Sequence, residues 1–387
     1  MRRKKSRIHI YAGIVGAISI SLLSLLYAQS AAHAPLAAVE QKKHTLYPTQ
    51  YSDTHITKNA IATDQRFTDF AVVDREDFLA SVASSFETNT AAPETDQPEK
   101  GVWLWTPILS LTPEYWNTIF IGAKKNDVRN IYLSIDSYLD VYVLPEGPEK
   151  EAKKKTFDDT LENFIAAAHG NDMTVDAEAG WRNWAEPGNE YKAFAIVEYV
   201  LQFNATHTEK LRGFQYDIEP YLLSSYQTDK KAALRNFVDL VNRTVTRLHK
   251  SDLRFSVVIP DFYDGESKET PRFLYGWSYS HALTHLLNVL ERRPGSTILV
   301  MAYRNHSEGA DGSISISQEE IRAADDYRTK VIVAQETGDI LPPSATFYNT
   351  SLSSLNTQLH NIQEAFADTK SYNGIAIHYI NALLELN

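Results

Sequence analysis

Eight short β-rich runs recur from Gly101 to the end of the chain, and this recurrence restricts the architecture more than any other feature of its 387 residues. The runs are Gly101–Trp105, Asn130–Ile135, Met173–Ala177, Gly213–Asp217, Arg254–Ile259, Thr297–Met301, Lys330–Ala334 and Gly374–His378. Their starts lie about 30 to 45 residues apart, the length of a strand with its returning helix. Helical periodicity fills the gaps. Leu234, Phe237, Val238, Val241, Val245 and Leu248 fall on one helix face, and Leu355, Leu359, Ile362 and Phe366 do the same before the last run. Eight strands alternating with helices predict an α/β fold, a (β/α)8 barrel over residues 101–387. The chain stops soon after the eighth run, so the last helix should be short or absent. A propeller would need strands in the gaps, which leaves a doubly wound open sheet as the nearer rival.

The first residues read as an address. Arg2, Arg3, Lys4, Lys5 and Arg7 precede an uncharged apolar stretch from Ile10 to Ala28, followed by Ser30, Ala31, Ala32 and Ala34. Residues 1–34 are therefore expected to be a signal peptide or a membrane anchor, with Pro35 an unusual residue to follow a cleavage site. The body is expected to be secreted or periplasmic, or tethered outside the membrane by that segment. Residues 35–100 lack sustained periodicity and end in the polar, two-proline stretch Ala91–Lys100, so they read as a linker or N-terminal extension.

Composition removes whole classes of chemistry. Lys and Arg number 38 against 49 Asp and Glu, a net charge of −11, and five of the basic residues lie in the first seven positions. Such a body is a poor partner for nucleic acid, whose phosphates need a basic face. With no cysteine there is no disulfide, thiol nucleophile or thiolate metal site. No cofactor or metal is implied. Asp136, Asp176, Glu178, Asp217 and Glu219 offer oxygen ligands, but no compact loop motif gathers them. His281 and His285 have zinc-like spacing without the glutamate of a metalloprotease and read as paired surface histidines.

In a (β/α)8 barrel, chemistry gathers at the C-terminal ends of the strands. Several runs end there in polar residues: Asp136 on the second, Asp176 and Glu178 on the third, Asp217 and Glu219 on the fourth. Tyr303 and Arg304 end the sixth, Glu336 the seventh, and His378 and Tyr379 the eighth. Asp217 and Glu219 are the sharpest signal. Residues two apart on a strand share a face, so both carboxylates should point into one mouth. Like charges that close hold one group protonated and leave the other ionised. Glycosidic cleavage needs that pairing: an acid for the leaving oxygen, and a negative partner for the oxocarbenium-like centre. Trp181, exposed in the loop after the third run, suits stacking on a sugar. Trp103 and Trp105 share a face of the first run, where one of them floors the pocket or both are core.

These residues resemble the family 18 chitinase-like glycoside hydrolases. Gly213-Phe-Gln-Tyr-Asp217-Ile-Glu219 is similar to the end of that family's fourth-strand signature, Asp-Gly-x-Asp-x-Asp-x-Glu. Met301-Ala-Tyr303 is similar to its Met-x-Tyr. The resemblance implies that Glu219 is the general acid and that Asp217 orients a substrate acetamido group, whose oxygen is the internal nucleophile. It also implies that Tyr303 supports the oxazolinium that results. Arg212 and Gln215 stand where the signature has its first two Asp, and His378 and Tyr379 stand where the family usually has a Trp. Glu219-Pro220 also resembles the Asn-Glu-Pro of retaining glycosidases, with Ile218 in place of Asn. That second resemblance makes Glu336 the nucleophile. Either way Glu219 is the acid.

The expectation is an exported glycoside hydrolase acting on a polysaccharide or glycan, polymers of N-acetylated amino sugars among them. Catalysis is expected from Glu219, Asp217, Tyr303 and Glu336. Substrate contacts are expected from Asp136, Asp176, Glu178, Trp103, Trp105, Trp181, Arg304, His378 and Tyr379. A carbohydrate-binding barrel without catalysis is the rival from another class, and a metal-dependent carbohydrate esterase or deacetylase is the third. Oligomeric state is left open.

Overall fold

The computed structural model describes residues 98–265 and 270–386. The expected signal or anchor and nearly all of the extension fall outside them. Among the described residues, no helix is long and apolar enough to cross a membrane.

The eight expected strands are present: β1 (Glu99–Leu104), β2 (Asn130–Ser134), β3 (Thr174–Ala179), β4 (Gly213–Tyr216), β5 (Arg254–Pro260), β6 (Thr297–Met301), β7 (Lys330–Glu336) and β8 (Tyr372–His378). They close in sequence order into one barrel, every neighbouring pair parallel. Eight principal helices return the chain: α1 (Pro113–Lys125), α2 (Pro148–His169), α3 (Glu190–Thr206), α4 (Lys230–Leu248), α5 (Ala282–Leu290), α6 (Ser313–Ala324), α7 (Leu352–Phe366) and the short α8 (Ile380–Glu385).

Local chemistry explains where several helices start. Thr112, Asp229 and Ser351 cap α1, α4 and α7 by accepting the N–H of the residue three ahead, and Pro113 opens α1 where its missing N–H costs nothing. The α4 face foreseen from spacing is buried from Leu234 to Leu248. The periodicity missed a small hairpin between β5 and α5, Phe273–Tyr275 paired antiparallel with Ser278–Ser280. His281 and His285 are a further correction. They are buried beside that hairpin, not paired on the surface, because Arg272 donates to His281 Nε2 (3.0 Å) and His285 Nε2 meets the Phe273 carbonyl (3.0 Å).

Strand residues facing outward, such as Val102, Ile131, Phe214 and Ile259, join the helices in the main core, while Trp103, Trp105, Tyr132, Leu299 and Met301 fill the barrel itself. The interior has a polar lower end. Arg212, just before β4, grips Glu99 with both terminal nitrogens (2.9 and 2.8 Å) and Asp176 through Nε (2.9 Å) and Nη2 (2.5 Å). Asn130 also donates to Asp176 (3.1 Å), and Tyr132 donates to Glu99 (3.2 Å). Burial alone would pull the Glu99 carboxyl up, but the Arg212 guanidinium outweighs it and holds the group below the usual range.

One buried acid lacks such support. Glu320 on α6 is fully buried and, among the described residues, neither carboxyl oxygen has a hydrogen-bond partner. Burial first, then Asp264 and Asp261, push its pKa well above the ordinary range. A raised folded-state value makes stability fullest below the unfolded pKa of about 4.3 and weakens it as pH rises. Glu320→Gln is therefore expected to raise the melting temperature by several degrees at pH 8 and to change it little at pH 4. Thermal unfolding at the two pH values checks this.

Candidate active site

The site is built from the ends of β3 to β8. Past β4 the chain keeps its alternation: Ile218 joins the outer core, so its neighbours Asp217 and Glu219 turn inward. Both are nearly enclosed, Asp217 at 8% and Glu219 at 4% exposure. Two backbone contacts fix this segment. Asp217 N–H donates to the Ala179 carbonyl (3.2 Å). Gly180 lies so close to the Asp217 peptide that any side chain there would strike its carbonyl oxygen. Gly180 N–H in turn donates to Asp136 Oδ1 (3.2 Å), so Asp136 braces the β3–β4 rim.

Tyr303, continuing from β6, stands among the carboxylates. Its hydroxyl is pushed far above the ordinary tyrosine value by burial first, then by the charges of Glu336, Asp217 and Glu219. The phenol therefore keeps its proton and is available as a neutral donor in their midst.

Tyr221 is a site residue that strand-end reasoning did not assign. It lies on the turn Pro220–Leu222 that follows Glu219, and its hydroxyl donates to Glu219 Oε1. Its ring packs edge-on against Phe262 (5.3 Å). The only sequence signal was adjacency to the acid. Tyr221→Phe keeps that packing and removes the hydrogen bond. A bond to an ionisable partner is worth about 1.5–3 kcal/mol, so kcat is expected to fall at least about tenfold with KM little changed. Steady-state kinetics on a soluble oligosaccharide checks this.

Glu336 does not fit the role of nucleophile. It is fully buried. Its Oε1 accepts the Gly338 N–H (2.5 Å) and its Oε2 meets His378 Nδ1 (2.7 Å). Trp105 Nε1–H donates to His378 Nε2 (3.0 Å). An indole N–H can only donate, so Nε2 presents its lone pair, and the ring proton on Nδ1 is donated to Glu336. Both oxygens of Glu336 are thus held by its own surroundings. It positions His378, and through it Trp105, beneath the mouth.

Other expected contacts also move. Asp176 shares a face with Glu178 but lies at the opposite, closed end of the barrel in the grip of Arg212. Glu178, two residues nearer the mouth, is fully enclosed. Trp103 lies at 1% exposure in the barrel interior, where its indole N–H reaches Gln215 Oε1 (2.7 Å) and Gln215 Nε2 donates to Ser256 (3.2 Å). Trp103 is therefore core, not a sugar platform. Trp105 is also buried, its N–H committed to His378. Arg304 holds Asp311 through Nε (3.0 Å) and Nη2 (2.9 Å), donates to the Tyr303 carbonyl (2.8 Å) and lies 3.6 Å from Asp261. It orders the rim rather than facing a substrate. Asp261, just past β5 and absent from the sequence candidates, is pushed up to about 6 by burial, with Arg304 opposing and Asp264 and Asp311 adding. Trp181 is half-buried on the rim under the Arg182 guanidinium (5.4 Å), and Tyr379 is half-buried after a cis peptide bond to His378. Among the described residues, no three His, Cys, Asp or Glu side chains converge at metal-binding spacing.

No family model and no curated protein matches the chain. Among solved structures it is similar to GH18 chitinases and other glycoside hydrolases. The spore cortex-lytic enzyme SleL of Bacillus megaterium QM B1551 is 14% identical, with 79% of this chain and 80% of that one covered and a TM-score of 0.42. A GH18 chitinase from Cycas revoluta is 11% identical over 74% and 96%, with a TM-score of 0.44. D-psicose 3-epimerase from Clostridium cellulolyticum H10 matches as well, at 13% identity over 73% and 84% and a TM-score of 0.40. Likeness this slight, shared by a chitinase and an epimerase, carries no reaction with it; that must come from the site.

Proposed function

We propose that the barrel is an exported glycoside hydrolase that cleaves polysaccharides containing N-acetylated amino sugars, with Glu219 as general acid and base. The observation that carries this reading is the inward pair Asp217 and Glu219 at the mouth end of β4, both felt by Tyr303, with the Tyr221 hydroxyl on Glu219 Oε1. In the proposed step Glu219 gives its proton to the glycosidic oxygen as the bond from that oxygen to the anomeric carbon breaks. A nucleophile must attack that carbon as the bond breaks. Glu336 is held on both oxygens, which favours the substrate's own 2-acetamido oxygen, oriented by Asp217 and closing an oxazolinium ring. Tyr303, a neutral donor, faces the developing charge of that group. Water then opens the ring, and Glu219 takes its proton. In this reading residues 1–34 export the body or anchor it outside the membrane.

The test is release of reducing ends by the full chain from peptidoglycan, chitin and fully deacetylated chitosan. Cleavage of an N-acetylated polymer but not of chitosan is expected. Equal cleavage of chitosan would remove the acetamido nucleophile. No release from any polymer, with glycan still retained, would leave the binding barrel as the function.

A further inference from the structure

Among the described residues, the exposed large apolar side chains lie almost entirely in segments that follow a barrel strand; Ile121 on α1 is the exception. The densest group is on the β5–α5 hairpin: Leu274 at 56% exposure, Trp277 at 104% and Tyr279 at 61%. Leu274 and Tyr279 are direct cross-strand partners and so share the outer face. Gly276 and Trp277 make the two-residue connection. Gly276 takes φ 56°, the left-handed value that a primed turn asks of its first position, and this sets Trp277 at the tip.

The hairpin is held from its other face. Phe273 is buried against the His285 ring (4.6 Å), Tyr275 donates to Asp239 (3.4 Å), and Arg235 donates to the Leu274 carbonyl (3.2 Å). His285 belongs to the first turn of α5, Arg235 to the second turn of α4, and Asp239 to the middle of that helix. The aromatic tip is thus mounted firmly on the flank of the barrel, on the side formed by α4 and α5. The same segment starts with Phe262, whose ring meets Tyr221, which in turn holds Glu219. The β5–α5 connection that carries the hairpin therefore also borders the acid.

The chemistry of the tip selects its occupant. From Phe273 to Ser280 there is no charged side chain, only rings, Leu274, Gly276 and two serine hydroxyls. Ring faces flanked by hydroxyls suit an uncharged, hydroxyl-rich chain with apolar faces. An anionic lipid surface would instead meet an acidic body of net charge −11. We propose that the Trp277 hairpin is a docking surface for extended polysaccharide, outside the catalytic centre, that holds the polymer while Glu219 acts. This rests on the glycan reading above and adds to it a preference for long substrates.

The test uses the full chain and the double variant Trp277→Ser, Tyr279→Ser with insoluble chitin, or with peptidoglycan if that is the polymer cleaved, and with the matching short oligosaccharide. Loss of an exposed aromatic anchor is expected to weaken retention on the insoluble polymer about tenfold and to lower the ratio of kcat/KM on polymer to that on oligosaccharide by a similar factor. Unaltered retention and an unaltered ratio, with hydrolysis by the wild type intact, would overturn the docking surface and leave the hydrolase reading standing. No cleavage by the wild type would remove the hydrolase reading, and polymer retention would then decide the docking surface alone. If the substitutions abolish sedimentation with anionic vesicles, or convert a dimer to a monomer, while polymer retention is unchanged, the surface serves a membrane or a second copy and the proposal fails.

Discussion

Glu219→Gln is expected to lower turnover of the polysaccharide by roughly 10²–10⁴-fold with KM little changed. The substitution changes almost nothing except the proton. An amide oxygen still accepts from Tyr221, the side chain keeps its size beside Tyr303, and no charge is added to the buried mouth. Folding and glycan retention should therefore survive, which separates the loss of an acid from the loss of the structure. Retention of the glycan by the variant, measured beside its turnover, makes that distinction. Wild-type turnover in Glu219→Gln would mean that some other group supplies the proton.

The second large effect lies at the opposite end of the barrel. Arg212→Met is expected to destabilise the fold by about 3–5 kcal/mol, lowering the melting temperature by roughly 10 °C. The guanidinium links Glu99 of β1 with Asp176 of β3, and its removal leaves two enclosed carboxylates without their counter-charge. The pH dependence follows from the depressed value of Glu99. A lowered folded-state pKa gives stability that is present above the unfolded value and is lost as pH falls through the folded one. The gap between wild type and variant should therefore be widest near neutral pH and narrow in acid. Equal melting temperatures at pH 7 would show that the network contributes nothing. Activity of the folded variant at low temperature should be close to that of the wild type, since Arg212 is remote from Glu219.

The barrel was legible because its strands announce themselves locally. β-branched runs at a regular spacing, with one-faced helices between them, need no knowledge of distant partners. The inward face of β4 was legible for the same reason: alternation assigns Asp217 and Glu219 to one side. Alternation does not assign height. Asp176 and Glu178 share a face, yet two residues of strand amount to about 6–7 Å along the barrel, enough to send Asp176 to the closed end. The same applies to Trp103, which lies lower than a mouth residue and is sealed by Gln215. The state of Glu336 was illegible for another reason. Its partner His378 is 42 residues away, and only closure of the barrel brings them to 2.7 Å. Tyr221 stood in plain view two residues beyond the acid, but its role depends on the turn that swings its hydroxyl back. The hairpin was missed because two three-residue strands fall below the length at which periodicity speaks.

The central claim is that Glu219 hands a proton to the departing glycosidic oxygen. Its most direct measurement compares wild type and Glu219→Gln on two glycosides of the same sugar, one with an alkyl leaving group and one with dinitrophenolate, which departs without protonation. The first step, in which the glycosidic bond breaks, is expected to fall by 10²–10⁴-fold on the alkyl glycoside in the variant, while the same step on the dinitrophenyl glycoside falls by less than about tenfold. An equal loss on both substrates would contradict the account, because a group that donates no proton has no reason to distinguish one leaving group from the other.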